Sequence, residues 1–153
     1  MKLSSKLIYL DVCALCRGFD DQQYLRIRLE ATAVDLIMEH VRLGDYKMYY
    51  SPVHRFEIDA LIDVYERKEL QDFLKTWGTD CAKYVHLRKT RQRAEEFVLY
   101  GFGTGDAAHV AFSEALNADF ITCDDQLVKQ CKRYKVNVWC GTPIEFCQLE
   151  GLK

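Results

Sequence analysis

Four widely separated carboxylates could do chemistry together if the chain brings them to one place. They are Asp11, Glu57, Asp106 and Asp124. Four acids in one crevice repel each other, so some of them must bind protons or a divalent cation. Oxygen-only ligands favour Mg²⁺ or Mn²⁺ over zinc. Such a cation can activate water and stabilise the leaving oxygen of a phosphodiester, so the set indicates metal-dependent hydrolysis.

The elements that must position these acids follow from an alternation of short apolar runs and longer helical stretches. This alternation is typical of a parallel sheet covered by helices. We predict strands at 6–10, 48–50, 84–87, 119–123 and 136–140. We predict helices at about 22–43, 53–65, 69–75, 90–100 and 105–116, another that opens with Asp124 and Asp125, and a short final one from Thr142 and Pro143. Gly44 is expected to end the first long helix, Ser51-Pro52 to start the next, and Thr104 to cap the helix at 105.

The acids meet in this scheme because strand ends and helix starts share one edge of the sheet. In open parallel sheets, chemistry takes place in the crevice at the carboxyl ends of the strands. Asp11 ends the first strand and Asp124 follows the fourth. The connecting helices run antiparallel to the strands and begin at the same edge, where they place Glu57 and Asp106. Each acid alone has an ordinary explanation as a helix cap, so the hypothesis depends on all four.

Composition is that of an ordinary globular chain. Its 153 residues fit one domain, and 49% are hydrophobic and 29% charged. A net charge of −2 argues against a general nucleic-acid coat protein, although it allows a local basic patch. Seven cysteines without a regular framework indicate reduced thiols, so we expect a cytoplasmic protein. We expect no signal peptide in the N-terminal segment and no membrane span, because no apolar stretch is long enough.

Four stretches resemble the PIN-domain family of ribonucleases. They are Tyr9-Leu10-Asp11, Glu57-Ile58, Gly105 to Ala111, and Ala118 to Asp124. Their order and spacing span nearly the whole chain. The resemblance implies an α/β three-layer sandwich, a single domain over residues 1–153, with a five-stranded parallel sheet in order 3-2-1-4-5. It also implies metal-dependent RNA cleavage, and many small members are toxins of bacterial toxin–antitoxin pairs, so an antitoxin is a candidate partner.

The same resemblance implies roles for individual residues. The acidic set would be Asp11, Glu57, Asp106 and Asp124, with Mg²⁺ or Mn²⁺ held by the three aspartates and Glu57 as a ligand or a water-orienting base. Thr122 matches the hydroxyl residue beside the last acid. Val12-Cys13 departs from the family, in which small polar residues often follow the first acid.

Basic residues near the expected crevice are candidates for RNA binding. Arg17 lies in the loop after the first strand, and a group follows the predicted third strand: Arg88, Lys89, Arg91 and Arg93. Positive charge at a helix start opposes the helix dipole, and a nearby phosphate backbone would offset this cost. A solvated basic face explains the group equally well, so both interpretations stay open.

Three other features have competing interpretations. Asp125 is a fifth ligand or, more simply, a helix cap. His109, three residues after Asp106, could orient substrate or water, but a packed core histidine is the ordinary interpretation. The first long helix carries two neighbouring apolar stripes, which favour core burial over a homodimer interface; the second stripe is Ile27, Val34, Met38 and Val41.

Four rival functions have weaker support in the sequence. Cys13 and Cys16 form a C-x-x-C after a strand, as in thioredoxin-like redox sites, but no proline precedes a later strand to complete such a site. A second cysteine or histidine pair with zinc spacing is missing as well. A phosphatase would need an acid two residues after Asp11, where Cys13 stands. A non-catalytic PIN-like module that binds RNA or protein would keep the fold without cleavage, and it remains the main alternative.

Overall fold

The centre of the molecule is a five-stranded sheet in which every strand pairs in parallel with its neighbours. In the computed structural model, which describes residues 5–153, the strand order is β3-β2-β1-β4-β5. The strands are β1 Lys6–Leu10, β2 Tyr46–Tyr50, β3 Gly78–Asp80, β4 Asp119–Ile121 and β5 Cys140–Gly141. This arrangement confirms the expected α/β sheet with order 3-2-1-4-5. The prediction about an N-terminal signal falls mainly on residues 1–4, which lie outside the described residues.

Helices cover both faces of this sheet. They are α1 Val12–Leu15, α2 Leu25–Arg42, α3 Pro52–Asp59, α4 Val64–Trp77, α5 Leu87–Leu99, α6 Thr104–Leu116, α7 Asp125–Arg133 and α8 Pro143–Glu150, with short 3-10 turns at Arg17–Phe19 and Cys81–Lys83. The core on one face is formed with α1 to α4 and α8, and the core on the other with α5 to α7. Within residues 5–153, none of the helices has the length and apolar character to cross a membrane.

The central strand β1 is buried on both faces. Ile8 and Leu10 pack into one core, and Tyr9 between them packs into the other. All three are at most 1% exposed. A near-continuous apolar run of this kind is what a parallel strand with helices on both sides requires. Asp11 therefore emerges from the central strand of the sheet, directly after three fully buried residues.

Several helix boundaries follow the expected local chemistry. Ser51 caps α3 with its side chain and Pro52 follows at the first helical position, while Thr142 and Pro143 repeat this arrangement at α8. Gly44 follows α2 with a φ of 85°, a conformation that glycine adopts without strain. These predicted starts and stops are confirmed.

The predicted third strand at 84–87 is wrong. Tyr84 ends a 3-10 turn, His86 caps α5, and Leu87 is the first residue of that helix. The strand is instead Gly78–Asp80, directly after α4. It has three residues, lies at the edge of the sheet and pairs only with β2, so it needs no apolar run that a sequence pattern could detect.

Other boundaries shift for identifiable reasons. The boundary between the predicted helices at 53–65 and 69–75 is wrong. The first helix, α3, already ends at Asp59, and α4 begins at Val64. Asp63 caps the start of α4 by accepting a hydrogen bond from the Glu66 amide at 2.9 Å. The predicted strand at 136–140 shrinks to Cys140–Gly141, and the side chains before it pack against the cores from a loop. The strand predicted at 119–123 ends at Ile121. Thr104 begins α6 but does not cap it, since Gly103 holds the N-cap position.

The second apolar stripe of α2 is mostly covered by the chain itself. Val34, Met38 and Val41 are each at most 8% exposed and belong to the core on their face of the sheet. Core burial therefore explains these three residues, and they offer no free surface to a second copy. The second stripe of α2 therefore does not support a homodimer, which stays a prediction.

A side chain at Gly78 should destabilise the edge strand. A Cβ there would lie 2.7 Å from Tyr50 Cδ1 and 2.8 Å from the Leu74 carbonyl oxygen, which is backbone and cannot turn away. We expect Gly78→Ala to lower the free energy of unfolding by about 1–3 kcal/mol, measured by urea denaturation. Gly18→Ala is the matched control, because no atom lies within 4 Å of its Cβ position. Equal denaturation midpoints for the two variants would contradict the packing described for β3.

Candidate active site at the carboxyl edge of the sheet

All four predicted acids line one cleft at the carboxyl edge of the sheet. The cleft has a volume of about 210 Å³, and its wall contains Asp11, Glu57, Asp106 and Asp124. The remaining lining residues are Val12, Cys13, Arg17, His109 and Cys123. Four segments that are far apart in sequence thus meet around a small, polar opening.

Asp11 is the most buried of the acids, at 4% exposed, and its two oxygens are tied to the protein. Oδ1 accepts from the Ala14 amide at 3.1 Å and from the Cys13 thiol at 3.0 Å. Oδ2 accepts from the Thr122 hydroxyl at 2.6 Å. Burial raises the pKa of Asp11 above its ordinary value, and these hydrogen bonds oppose the rise. The carboxylate is thereby held in one orientation.

Thr122 connects Asp11 to Asp124. Its hydroxyl donates to Asp11 and accepts from the Asp124 amide at 3.1 Å. Asp124 in turn caps α7, where its Oδ1 accepts from the amides of Gln126 and Leu127 at 3.0 and 3.2 Å. The hydroxyl of Thr122, which is 0% exposed, thus connects two of the acids. Its predicted contact with substrate stays a prediction.

Asp106 lies in the first turn of α6 and carries the clearest sign of crowded charge. Burial raises its pKa to about 6, and the neighbouring carboxylates of Asp11 and Asp124 contribute to the rise. A carboxyl group that is only half-buried responds this strongly when other negative charges lie close by. The three aspartates therefore interact electrostatically across the cleft.

Glu57 reaches the cleft from α3 and is held against the start of α6. Its Oε1 accepts a hydrogen bond from His109 Nε2 at 2.5 Å. A Cβ on Gly105 would lie 3.6 Å from the same oxygen, so the carboxylate lies close above this glycine. The Glu57 side chain is 37% exposed, in contrast to the 2% of His109. Glu57 is thus a partly solvated carboxylate that is hydrogen-bonded to a buried histidine.

The acids are close but do not form a preassembled metal cage. Within residues 5–153, no three His, Cys, Asp or Glu side chains are arranged to coordinate one ion directly and all at once. Mg²⁺ does not require such a cage, since it keeps several waters and binds through one or two carboxylates. The donors are all oxygens, and the raised pKa of Asp106 shows that added positive charge would be favourable there. The donor set fits Mg²⁺ or Mn²⁺.

The predicted basic residues divide into two groups. Arg17 lines the cleft and forms ion pairs with Asp20 at 3.0 Å and Glu30 at 3.2 Å. Arg88, Lys89 and Arg91 are exposed on the first turns of α5 and do not line the cleft. The structure therefore brings Arg17 to the acids and leaves the α5 group outside.

Asp125 faces away from the acids. Both of its oxygens accept from the Arg26 guanidinium, at 2.6 and 2.7 Å, and this contact lowers the pKa of Asp125. It does not line the cleft, and the cap of α7 is Asp124. The cap and fifth-ligand interpretations of Asp125 both lack support here, because its partner is an arginine on α2.

The C-x-x-C pair lacks the chemistry of a redox site. A reactive cysteine needs a lowered pKa. Burial and the neighbouring Asp11 raise the pKa of Cys13 well above its ordinary value, and burial raises that of Cys16 to about 12. All seven cysteines are free thiols. Cys13 acts instead as a hydrogen-bond donor to Asp11.

Sequence reasoning missed a buried polar cluster beneath the cleft. Tyr9, Ser51 and His54 are all 0% exposed and are linked to His109. One signal was available, because a tyrosine within a buried strand needs a partner for its hydroxyl. Glu30, a charged residue on the buried side of α2 at 1% exposed, was also missed.

Comparison with known proteins identifies the fold. No protein-family model matches the sequence, and no curated protein matches it. The solved structure of FitAcB from Neisseria gonorrhoeae is similar at a TM-score of 0.50 and 14% identity, covering 89% of this chain and 97% of that one. FitAB bound to an IR36 DNA fragment has a TM-score of 0.51 at 12% identity, covering 89% and 94%. VapBC2 from Rickettsia felis, bound to a promoter DNA fragment, has 13% identity, covers 89% and 98%, and has a TM-score of 0.49. The strand order 3-2-1-4-5 and the similarities at TM-scores of 0.50 and 0.51 show that the chain has a PIN-like fold.

Removing the Asp106 charge should stabilise the metal-free protein in a pH-dependent way. Between pH 3.8 and about 6 the folded state binds more protons than the unfolded state, so this group lowers the free energy of unfolding as pH rises through that window. Asp106→Asn should therefore increase that free energy in EDTA at about pH 7 and much less at about pH 4. Because solvent screens a half-buried group, we expect this increase in the free energy of unfolding to be about 1 kcal/mol.

The measurement is urea denaturation of wild type and variant across this pH range. Asp35→Asn is the control, since Asp35 is exposed on α2 and does not line the cleft. A gain of equal size at both ends of the range, or a gain that the control reproduces, would contradict the crowding of charge around Asp106.

Proposed function

We propose that this chain is a Mg²⁺- or Mn²⁺-dependent endoribonuclease. The observation that carries the proposal is the meeting of Asp11, Glu57, Asp106 and Asp124 along one cleft at the carboxyl edge of a parallel sheet. Open parallel sheets bind their ligands at this edge. The PIN-like fold and the motifs that resemble PIN ribonucleases support the same reaction and the same substrate class.

The residues of the cleft have distinct parts in this reaction. Asp11, Asp106 and Asp124 would hold the cation, which when bound supplies the charge that activates water and stabilises the leaving oxygen. Thr122 keeps Asp11 and Asp124 at a fixed separation through its two hydrogen bonds. Glu57 orients the attacking water and accepts its proton at Oε2, since Oε1 is bonded to His109. In-line attack on the phosphorus leaves 5′-phosphate and 3′-hydroxyl ends.

The substrate is bound by positive charge at and around the cleft. Arg17 lies in the cleft wall and is placed to bind a phosphate oxygen, for which a guanidinium is well suited. Arg88, Lys89 and Arg91 on α5 lie outside the cleft and would contact the RNA backbone only at a distance from the scissile bond. Substitution of Arg17 should therefore matter more for cleavage than substitution of the α5 group.

We further propose that the protein works in the cytoplasm as the toxin of a toxin–antitoxin pair. The resemblance to PIN-domain ribonucleases, many of which are such toxins, supports this role. One of the similar solved structures is that of FitAB bound to a DNA fragment. A partner protein would find exposed apolar side chains on α3, on α4 and in the loop between them. Phe56 is 78% exposed and Ile62 97% exposed, and Tyr65 nearby is 70% exposed.

A non-catalytic module that binds RNA or protein is the second candidate. It would keep the PIN-like fold and the acids of the cleft without cleaving RNA. Such a module would bind RNA or protein equally well in EDTA and release no product. A nuclease would give discrete cuts that require the cation.

Neighbouring aspartates at the start of α7 provide the sharpest test of the site. Asp124→Asn should lower the rate of RNA cleavage with Mg²⁺ or Mn²⁺ by at least about 100-fold, because it removes charge from the cation site. Asparagine caps helices as well as aspartate does, so α7 should remain folded. Asp125→Asn is the control, because Asp125 pairs with Arg26 outside the cleft and its loss should leave the rate nearly unchanged.

The assay uses a mixed RNA pool with either cation, an EDTA control, and sequencing of the ends. Asp11→Asn and Asp106→Asn should resemble Asp124→Asn. Wild-type cleavage rates in these variants would show that the site is assigned wrongly. Equal losses in Asp124→Asn and Asp125→Asn would show that α7 supports the fold without contributing to a cation site.

A further inference from the structure

We propose that His109 is the positioning residue for Glu57, and that Tyr9 and Ser51 hold His109 in the required orientation. The inference rests on the proposed function, in which Glu57 orients the attacking water. It assigns a role to a buried polar cluster that the acidic set alone does not explain.

The cluster is a continuous chain of hydrogen bonds that ends at Glu57. Ser51 Oγ lies 2.8 Å from the Tyr9 hydroxyl, and that hydroxyl lies 2.6 Å from His109 Nδ1. His109 Nε2 then lies 2.5 Å from Glu57 Oε1. Ser51 and Tyr9 are 0% exposed and His109 is 2% exposed, so water does not compete for these bonds. The chain runs from the end of β2, across β1, to α6 and α3.

One arrangement of protons satisfies every member of this chain with a neutral imidazole. A carboxylate only accepts, so the proton of His109 is on Nε2, and Nδ1 must accept from the Tyr9 hydroxyl. The Tyr9 oxygen then accepts from the Ser51 hydroxyl. Ser51 Oγ itself accepts from the Val53 amide at 3.2 Å. Every donor in the chain therefore points toward Glu57.

His54 holds the beginning of this chain in place. Its Nδ1 accepts from the Ser51 amide at 3.0 Å and its Nε2 donates to the Leu10 carbonyl oxygen at 2.6 Å. Burial lowers the pKa of His54 to about 3, so the ring stays neutral and keeps this pattern. The carbonyl it contacts belongs to the residue before Asp11. The chain is thereby connected to the strand end that carries the most buried acid.

The contact with Glu57 distinguishes His109 from an ordinary core histidine. A core histidine would satisfy both nitrogens inside the core, whereas His109 directs Nε2 at a carboxylate that is 37% exposed in the cleft. His109 also lies one helical turn after Asp106. The helix α6 therefore carries one acid of the cleft and the residue that binds Glu57, another acid of the cleft. A partly solvated glutamate has many rotamers, and this bond selects the one that keeps Oε2 for water.

The hydrogen-bond arrangement can be tested without any cleavage assay. Long-range ¹H–¹⁵N NMR spectra of imidazole-labelled protein report which ring nitrogen carries the proton. In the wild type we expect the Nε2–H form of His109, with its proton resonance shifted downfield. Glu57→Ala should move that resonance upfield and allow the Nδ1–H form to appear, because the Tyr9 hydroxyl can accept as well as donate. A proton on Nδ1 in the wild type, or a resonance that ignores Glu57→Ala, would overturn the proposal.

The role in positioning is tested by the rate of RNA cleavage. His109→Leu keeps the apolar volume and removes the donor, so kcat should fall by about 10- to 100-fold while the KM for RNA stays nearly unchanged. His109→Gln keeps a donor near the position of Nε2 and should restore most of the rate. Tyr9→Phe should cause a smaller loss, and it keeps the proposal testable if His109→Leu does not fold.

Ser113→Ala is the matched control for these variants. Ser113 is 0% exposed, lies one turn beyond His109 on α6, and donates only to the His109 carbonyl oxygen. A nuclease that requires Asp124 but loses no more rate with His109→Leu than with Ser113→Ala overturns the role of His109 alone. A wild type that cleaves no RNA, or Asp124→Asn at full rate, overturns the proposed function and the role of His109 with it.

Discussion

Repulsion among carboxylates at one sheet edge is the constraint on which the rest of this structure depends. Asp11 follows the central strand and is 4% exposed, and burial together with the neighbouring carboxylates raises the pKa of Asp106 to about 6. The neighbouring groups are those that make such crowding tolerable: an amide, a thiol and a hydroxyl donate to Asp11, and a histidine donates to Glu57. These donors restrain the acids without neutralising all of their charge, which is the basis for proposing a cation at this site.

Ion pairs behind the cleft satisfy a buried carboxylate on α2. Glu30 is 1% exposed on α2 and accepts from Arg17 and Arg26, at 3.2 Å in each ion pair. Arg17 reaches forward into the cleft wall, and Arg26 reaches across to Asp125 at the start of α7. A buried carboxylate of this kind is costly unless it is paired, so Arg17 and Arg26 are both required where they lie. The network explains why the positively charged side chain of Arg17 borders the acids. It also explains why Asp125, which pairs with Arg26, is not part of the acidic set.

Sequence patterns predicted the parts of this molecule that carry strong local signals. The apolar run of β1 and the acids at strand ends and helix starts predicted a parallel sheet and the four acids of the cleft. The strand order was implied by the resemblance to PIN-domain ribonucleases. Residues without such signals were missed for physical reasons. Gly78 to Asp80 pairs on one side only and needs no apolar run, and the buried role of Tyr9 depends on a hydroxyl partner 100 residues away. Arg88, Lys89 and Arg91 carry a charge pattern that suits many exposed helices, so their distance from the cleft could not be foreseen.

The central claim, that these acids share a divalent cation, is tested most directly by locating the cation itself. Crystals of the protein soaked in Mn²⁺ and measured at the manganese absorption edge give an anomalous signal wherever the ion binds. The account predicts a peak in the cleft between Asp11, Asp106 and Asp124, and loss of that peak in Asp124→Asn crystals. Full occupancy at another site with none in the cleft, or a peak in the cleft that Asp124→Asn leaves unchanged, would contradict it.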